Sequence, residues 1–440
     1  MSAAAPSDSF FDALETRDPA DREAQLFAAL RLQLSHAKAH TAAYAELLAD
    51  VEPAEVCDRA SLARLPVIRK PELAARQLAL REGQGRAGGE AHDAHDALGG
   101  FSAIGWRGCV RSAGAGRVFQ SPGGLYEPEG RAPDYWRVAR ALFAAGLRAG
   151  DLVHNSFSYH LTPAGAMMEG GAHALGCTVF PGGVGNTELQ LQAMRDLRPQ
   201  AYVGTPSFLK ILLDKAAESG QRLDSLQRAL LSGEAFPNSL RDWLAERGVA
   251  GYQCYATADL GLVAYETSAR EGLVLAEGII VEIVRPGGSE PVAEGEVGEL
   301  VVTTLNPDYP LIRFGTGDLS AILPGRCPTG RSNQRIRGWL GRADQSAKVR
   351  GMFIHASQLA ELQRRFPQAG RARLVVEGEM AQDRLTLKLE LPDAVPRDGL
   401  IEQLAAALRD ITKLRAEVEL LPPGSLPNDG RVIEDVRSLD

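Results

Sequence analysis

The sequence predicts an α/β protein: a large N-terminal region of βαβ layers carrying a β-rich subdomain, followed by a small, mobile α+β unit. Three observations support this. Strand-like and helix-like runs alternate between residues 151 and 257. After 273 the helical runs give way to strands, and from about 352 a second, shorter alternation of helices and strands begins.

Near the start, residues 20–49 carry apolar side chains at helical spacing (Leu26, Ala29, Leu30, Leu32, Leu34), which reads as a helix or a helical pair. Residues 81–100 have no apolar period and read as a mobile loop. The pairs His92-Asp93 and His95-Asp96 within it suit a solvated loop better than a metal site. Strands are expected at 151–157, 177–180, 201–206, 228–236 and 251–261, with helices over 163–175, 188–197, up to about 218, and once more before 251. Such a succession makes a parallel or mixed sheet, and ligands bind at the carboxyl ends of its strands. Every Gly- or Thr-rich segment of this region falls at such an end, which favours a small-molecule enzyme over an interaction module. Strands in GLVLAEGIIVEIV, GELVVTTL and PLIRFGTGD form the β-rich part. From Arg331 to Arg350 six cations (331, 335, 337, 342, 348, 350) face one acid, Asp344, which suggests a polyphosphate contact. The helix QLAELQRRF, the strands ARLVVEG and RLTLKLEL, a helix near 398–413 and the strand AEVELL make the tail, so the domains run 1–341 and 342–440.

Composition narrows the function. The 440 residues carry 48 Lys+Arg against 56 Asp+Glu, a net charge of −8, so neither a nucleic acid nor a membrane surface is an expected partner. There is no run of 18 apolar residues and no basic leader, and a cytoplasmic protein is expected. The five cysteines, at 57, 109, 177, 254 and 327, form no close pair.

The chemistry-bearing segments are SGEAF (232–236), CYATADLG (254–261), RFGTGD (313–318), GRADQSAKVRG (341–351) and PNDGRVIED (427–435). Singly each is weak: Asp318 could cap a turn, Tyr255 could be core, and Asp259 could cap a helix. Their order and spacing resemble the adenylate-forming superfamily and, within it, the phenylacetate–CoA ligase family, over roughly residues 110–440. The resemblance implies an ATP-dependent acid–thiol ligase working through an acyl-adenylate, with ATP, Mg²⁺ and coenzyme A and an aryl acid as substrate. The alternatives are transfer to a carrier-protein thiol, or a catalytically impaired binding homologue. A homodimer is allowed for.

By the same resemblance Asp318 takes the ribose hydroxyls, Tyr255 lies on the adenine, Gly233, Glu234 and Ala235 bracket the base, and Arg342 joins the nucleotide contacts. Asp259 stands where relatives have a magnesium-associated Glu. Asp344 is the hinge, and Lys348, Arg350 and Gly351 face coenzyme A. Tyr159, His160 and Phe236, with the loop 182–188, are expected in the acyl pocket; for His160 a satisfied core histidine is slightly preferred. Three positions depart from the pattern. The phosphate loop, QSPGGLYEPEG, offers Ser121, Gly123 and Gly124 but no Lys, and is either a nest of amides or a simple turn. Ala258 replaces a hydroxyl that Thr257 could supply. The terminal Lys, catalytic in adenylation, becomes Arg431, a planar and multidentate group that is not its equivalent. Cys327 stands alone near Gly325 and Pro328, so no structural zinc is expected.

Overall fold

Helices open the chain. The Asp18 carboxylate accepts from the amides of Ala20 and Asp21 and so caps α1 (Pro19–His40), whose first residue is a proline with no amide to lose. Leu26, Phe27, Leu30 and Leu34 recur on its buried face. Thr41 then caps α2 (Ala42–Leu47). The short α3 (Arg59–Leu62) and β1 (Ile68–Arg69) lead into α4 (Lys70–Arg81). This computed structural model describes residues 9–82, 96–106, 114–121, 124–343, 346–350, 352–378, 383–392, 395–427 and 432–437. It falls into two compact units, Met1–Gly341 and Arg342–Asp440.

In the larger unit, β2 (Arg117–Ser121) and β3 (Leu125–Glu129) form an antiparallel hairpin that pairs Ser121 with Leu125 and Phe119 with Glu127. Then come α5 (Ala139–Ala144), β4 (Leu152–Asn155), α6 (Ala164–Leu175), β5 (Thr178–Pro181), α7 (Thr187–Leu197), β6 (Ala201–Gly204), α8 (Pro206–Glu218), β7 (Arg228–Leu231), α9 (Asn238–Ala245) and β8 (Ala250–Thr257). After them run β9 (Gly261–Glu266), β10 (Leu273–Leu275), β11 (Ile279–Val284), β12 (Gly298–Thr304), β13 (Phe314–Ser320), β14 (Ile322–Leu323) and β15 (Arg335–Ile336).

One sheet has the strand order β14-β15-β10-β9-β8-β7-β6-β4-β5. It is parallel from β5 to β8 and antiparallel from β8 onward. Because β5 and β6 flank β4 on opposite sides, the order reverses at β4, which creates the crevice where α/β sheets bind ligands. A second sheet, β1-β13-β12-β11, differs from the expected β-rich subdomain in two ways. The strand β10 joins the main sheet instead, and the second sheet recruits β1, which pairs in parallel with residues 314–315. Residues 96–100 also depart from the expected mobile loop. Asp96 accepts from the amides of Leu98 and Gly100, and Leu98 is buried, so this end is a packed turn. The remainder of that loop, 83–95, with His92 and His95, lies outside the described residues.

The smaller unit comprises β16 (Ser346–Val349), β17 (Met352–His355), α10 (Ala356–Arg365), β18 (Ala372–Glu377), β19 (Arg384–Glu390), α11 (Leu400–Thr412), β20 (Glu417–Leu421) and β21 (Ile433–Asp435). Its sheet runs β20-β19-β18-β21. The alternating leucines 385, 387, 389 and 391 are buried with Leu374, Leu404 and Leu408 in a core of its own.

Candidate active site

The carboxyl edge of the parallel strands collects the polar groups. After β7, Ser232 donates to the carbonyl of Cys254 at 2.8 Å, which ties the following turn to β8. Gly233 sits at φ +85, a conformation that a side chain would strain. The carboxylate of Glu234 accepts from the amide of Ser207 at 3.4 Å, joining the turn to the start of α8. On β8 the Tyr255 hydroxyl donates to Oδ2 of Asp318 at 2.6 Å, while the indole of Trp339 donates to Oδ1 at 3.0 Å. The amide of Asp318 bonds the Thr316 hydroxyl at 3.1 Å, which fixes the carboxylate from its own backbone. Each carboxylate oxygen thus accepts from one of these two side chains.

A buried charged cluster lies in the same unit. The Lys70 ammonium donates to Oδ2 of Asp259 at 3.1 Å and stands 4.0 Å from Oε1 of Glu127. Glu127 is fully buried. Burial, and then the neighbouring Asp259 charge, push its carboxyl well above the usual range, against the opposing pull of Lys70. Oδ1 of Asp259 and both oxygens of Glu127 lack a hydrogen bond of normal geometry. Buried, under-satisfied carboxylate oxygens are the donor set that a hard divalent cation takes, so these residues fit magnesium.

At the β4 crevice, Asn155 donates to the Tyr159 hydroxyl at 2.8 Å, and that hydroxyl donates to Glu169 at 2.8 Å. Beside them the Ser156 hydroxyl donates to that of Tyr202 at 2.5 Å. His154 is buried, bonded to Gln190 at 2.7 Å and stacked on Phe180; burial lowers its pKa.

A profile of the AMP-binding enzyme family matches residues 156–306. The phenylacetate–coenzyme A ligase of Thermus thermophilus is 32% identical over 317 residues, covering 66% of this chain and 71% of the relative. That of Escherichia coli is 30% identical over 327 residues, covering 70% of this chain and 74% of the relative. The chain belongs to the phenylacetate–CoA ligase family. Among solved structures, a 2-hydroxyisobutyryl-CoA ligase in complex with 2-HIB-AMP and CoA aligns with a TM-score of 0.82 at 24% identity, covering 99% of this chain and 94% of that one. At that identity the likeness speaks for the fold.

For a member of the phenylacetate–CoA ligase family, several expected site residues are placed differently. His160 is exposed, and the buried histidine is His154. Phe236 is buried beneath the Arg241 guanidinium, 4.5 Å from ring to Cζ. The Thr257 hydroxyl accepts from the amide of Leu260 at 3.1 Å and closes the turn that holds Asp259, so it is already engaged locally. The amide of Gly124 donates to the Ser121 carbonyl at 3.1 Å, between the paired ends of β2 and β3. Arg313, in the motif that ends at Asp318, turns away from the site. It is fully buried and bidentate on Glu282, at 3.0 Å for both contacts, and also holds the carbonyls of Ala63, Leu65 and Ser289.

The basic run also divides. Arg331 and Arg335 are buried; Arg331 pairs with the buried Glu15, and Arg335 with the exposed Glu271. The exposed Arg350 donates to the carbonyl of Asp383 at 3.0 Å. Gly123, Asp344, Gly351 and Arg431 lie outside the described residues, as does Cys109; Arg342 and Lys348 belong to the smaller unit. Sequence reasoning missed Lys70, Glu127, Glu169 and Trp339. Only Trp339 carried a signal, an exposed aromatic three residues before the start of the smaller unit. Among the described residues no helix is long and apolar enough to cross a membrane.

Proposed function

We propose that this chain is an AMP-forming acid–CoA ligase acting on a carboxylic acid of the aryl class. The observation that carries this reading is the Tyr255–Asp318–Trp339 constellation at the carboxyl edge of the sheet. In the first step a carboxylate oxygen attacks the α-phosphorus of ATP, and pyrophosphate leaves with the bridging oxygen's electrons. In the second, the coenzyme A thiolate attacks the acyl carbonyl and AMP leaves.

Asp318 accepts from the ribose hydroxyls, Tyr255 lies against the base, and the turn at Gly233 presents backbone to the base edge. Asp259 holds magnesium, which supplies charge neutralisation on the phosphates. The acid lies in the β4 crevice beside Tyr159. Arg431 supports the α-phosphate in adenylation, and Lys348 and Arg350 face coenzyme A. Exchange of labelled pyrophosphate into ATP, with pooled arylacetates, benzoates and aliphatic acids, tests this reading. Acid-dependent exchange supports it. Absence of both exchange and nucleotide binding across the panel refutes it, and transfer to a phosphopantetheine carrier in preference to coenzyme A would redirect the second step.

A further inference from the structure

Four separate segments meet around one buried point. They are the start of α4 with Lys70, the middle of β3 with Glu127, the turn between β8 and β9 with Asp259, and the loop between β12 and β13 with Tyr309. Glu127 is fully buried and Asp259 is 7% exposed. Neither oxygen of Glu127, nor Oδ1 of Asp259, nor the buried hydroxyls of Tyr309 and Ser121, has a hydrogen bond of normal geometry. Tyr309 faces both carboxylates closely enough for their charges to oppose its ionisation, so a neutral hydroxyl looks on the same point.

Among the described residues the cation paired with these carboxylates is the Lys70 ammonium, and it is unequally shared. It bonds Asp259 at 3.1 Å but stops at 4.0 Å from Glu127. Its side chain is 34% exposed, so it enters from the solvent side and can withdraw to it. With both carboxylates ionised, one ammonium compensates only one of two buried negative charges, which is costly. A divalent cation in its place would neutralise both, and magnesium is bound in this manner, by one or two carboxylates with other ligands from phosphate and water.

We propose that Glu127 is the second carboxylate of the divalent-cation site, alongside Asp259, and that the Lys70 ammonium occupies this site until the metal displaces it. The inference rests on the ligase reading only for its biological use. Entry of the cation and withdrawal of the ammonium form and break no covalent bond.

The test is Mn²⁺ binding to the full chain without nucleotide, read from loss of the free-ion electron paramagnetic resonance signal, for wild type, Glu127→Gln and Lys70→Met. Glu127→Gln keeps the shape and removes a charge, and the proposal expects it to weaken Mn²⁺ at least about tenfold, since even an outer-shell partner is worth that much. Lys70→Met removes the competitor and is expected to tighten Mn²⁺ severalfold. Wild-type affinity in Glu127→Gln overturns the proposal and leaves Glu127 as a protonated neighbour of Asp259. Unchanged or weaker affinity in Lys70→Met overturns the exchange; this arm stands even if Glu127→Gln does not fold. Pyrophosphate exchange run in parallel separates the two readings. Silence there with the expected Mn²⁺ pattern refutes the ligase alone, and exchange with Mn²⁺ binding indifferent to both variants refutes the cation site alone.

Discussion

Replacing Asp318 by Asn isolates the carboxylate that the proposed mechanism depends on. In the nucleotide-free chain its two oxygens already accept from Tyr255 at 2.6 Å and Trp339 at 3.0 Å. A ribose diol would add one donor to each oxygen, and each such charge-assisted bond contributes about 1.5–3 kcal/mol. Asn keeps one acceptor oxygen, which the Trp339 indole can retain. Its amino group then faces Tyr255, whose hydroxyl can reverse and accept. The fold therefore tolerates the change, while one ribose hydroxyl loses its acceptor and the other loses the charge. The expected cost is about 1.5–3 kcal/mol, or roughly 10- to 150-fold in AMP affinity. Trp339, 37% exposed and bonded to this carboxylate, supplies the assay, because ribose binding changes the surroundings of its indole. AMP is titrated against intrinsic fluorescence, with Trp339→Phe as the control that must lose the signal, and calorimetry confirms the affinities. An Asp318→Asn protein that binds AMP within about threefold of wild type would refute the ribose assignment.

Arg313→Met leaves Glu282 buried without its bidentate partner, and breaking such a pair costs about 3–5 kcal/mol. The urea midpoint should fall accordingly and recover in part when Glu282→Gln is added; a loss below about 1 kcal/mol contradicts the clamp. Burial lowers the His154 pKa, so the unfolded chain takes up the proton first as pH falls. Its stabilisation is therefore full above the ordinary value of about 6.5 and is lost as pH drops toward the folded value. The wild-type melting temperature should drop more steeply than that of His154→Phe between pH 7 and 5, and parallel curves would show that another group titrates. Arg431→Lys restores a single-point cation and should raise pyrophosphate exchange by on the order of tenfold, since placement of one donor to developing charge is worth that or more; an unchanged or lower rate means that the guanidinium is already well placed.

What the sequence made legible was local. The succession from β4 to β8 was readable because each helix and strand declares its own apolar period, and the glycine- and threonine-rich ends then mark the site. Tyr255 and Asp318 could be paired only through their resemblance to an ordered set of motifs, since nothing in their spacing brings a strand of one sheet beside a strand of another. The histidines show where period fails. His154 lies in β4, where Val153, His154 and Asn155 are all buried, but the strand ends at Asn155, so nothing fixes the side of His160. The run from Arg331 suggested a polyphosphate contact because an acid that pairs with it is remote: Glu15 precedes Arg331 by more than three hundred residues. Likewise Lys70 and Asp259 lie 189 residues apart and meet only after β1, α4 and the turn after β8 are in place.

The anchoring of Asp318 also constrains how a two-step reaction can proceed on this chain. Asp318 sits near the end of β13, and the next residue, Leu319, exchanges backbone hydrogen bonds with the last residues of the larger unit: its amide donates to Gly341 and its carbonyl accepts from Leu340, both at 2.9 Å. Trp339, directly before this pair, is bonded to the carboxylate itself. Residues 339–341 are therefore held to β13 by three hydrogen bonds from backbone and side chain. A rotation that pivoted before residue 341 would have to break these bonds and disturb Asp318, releasing the adenylate midway through the reaction. A pivot after Gly341 leaves them intact. The smaller unit begins at Arg342, so under the proposed mechanism a pivot there would spare the hydrogen bonds that join Tyr255, Asp318 and Trp339.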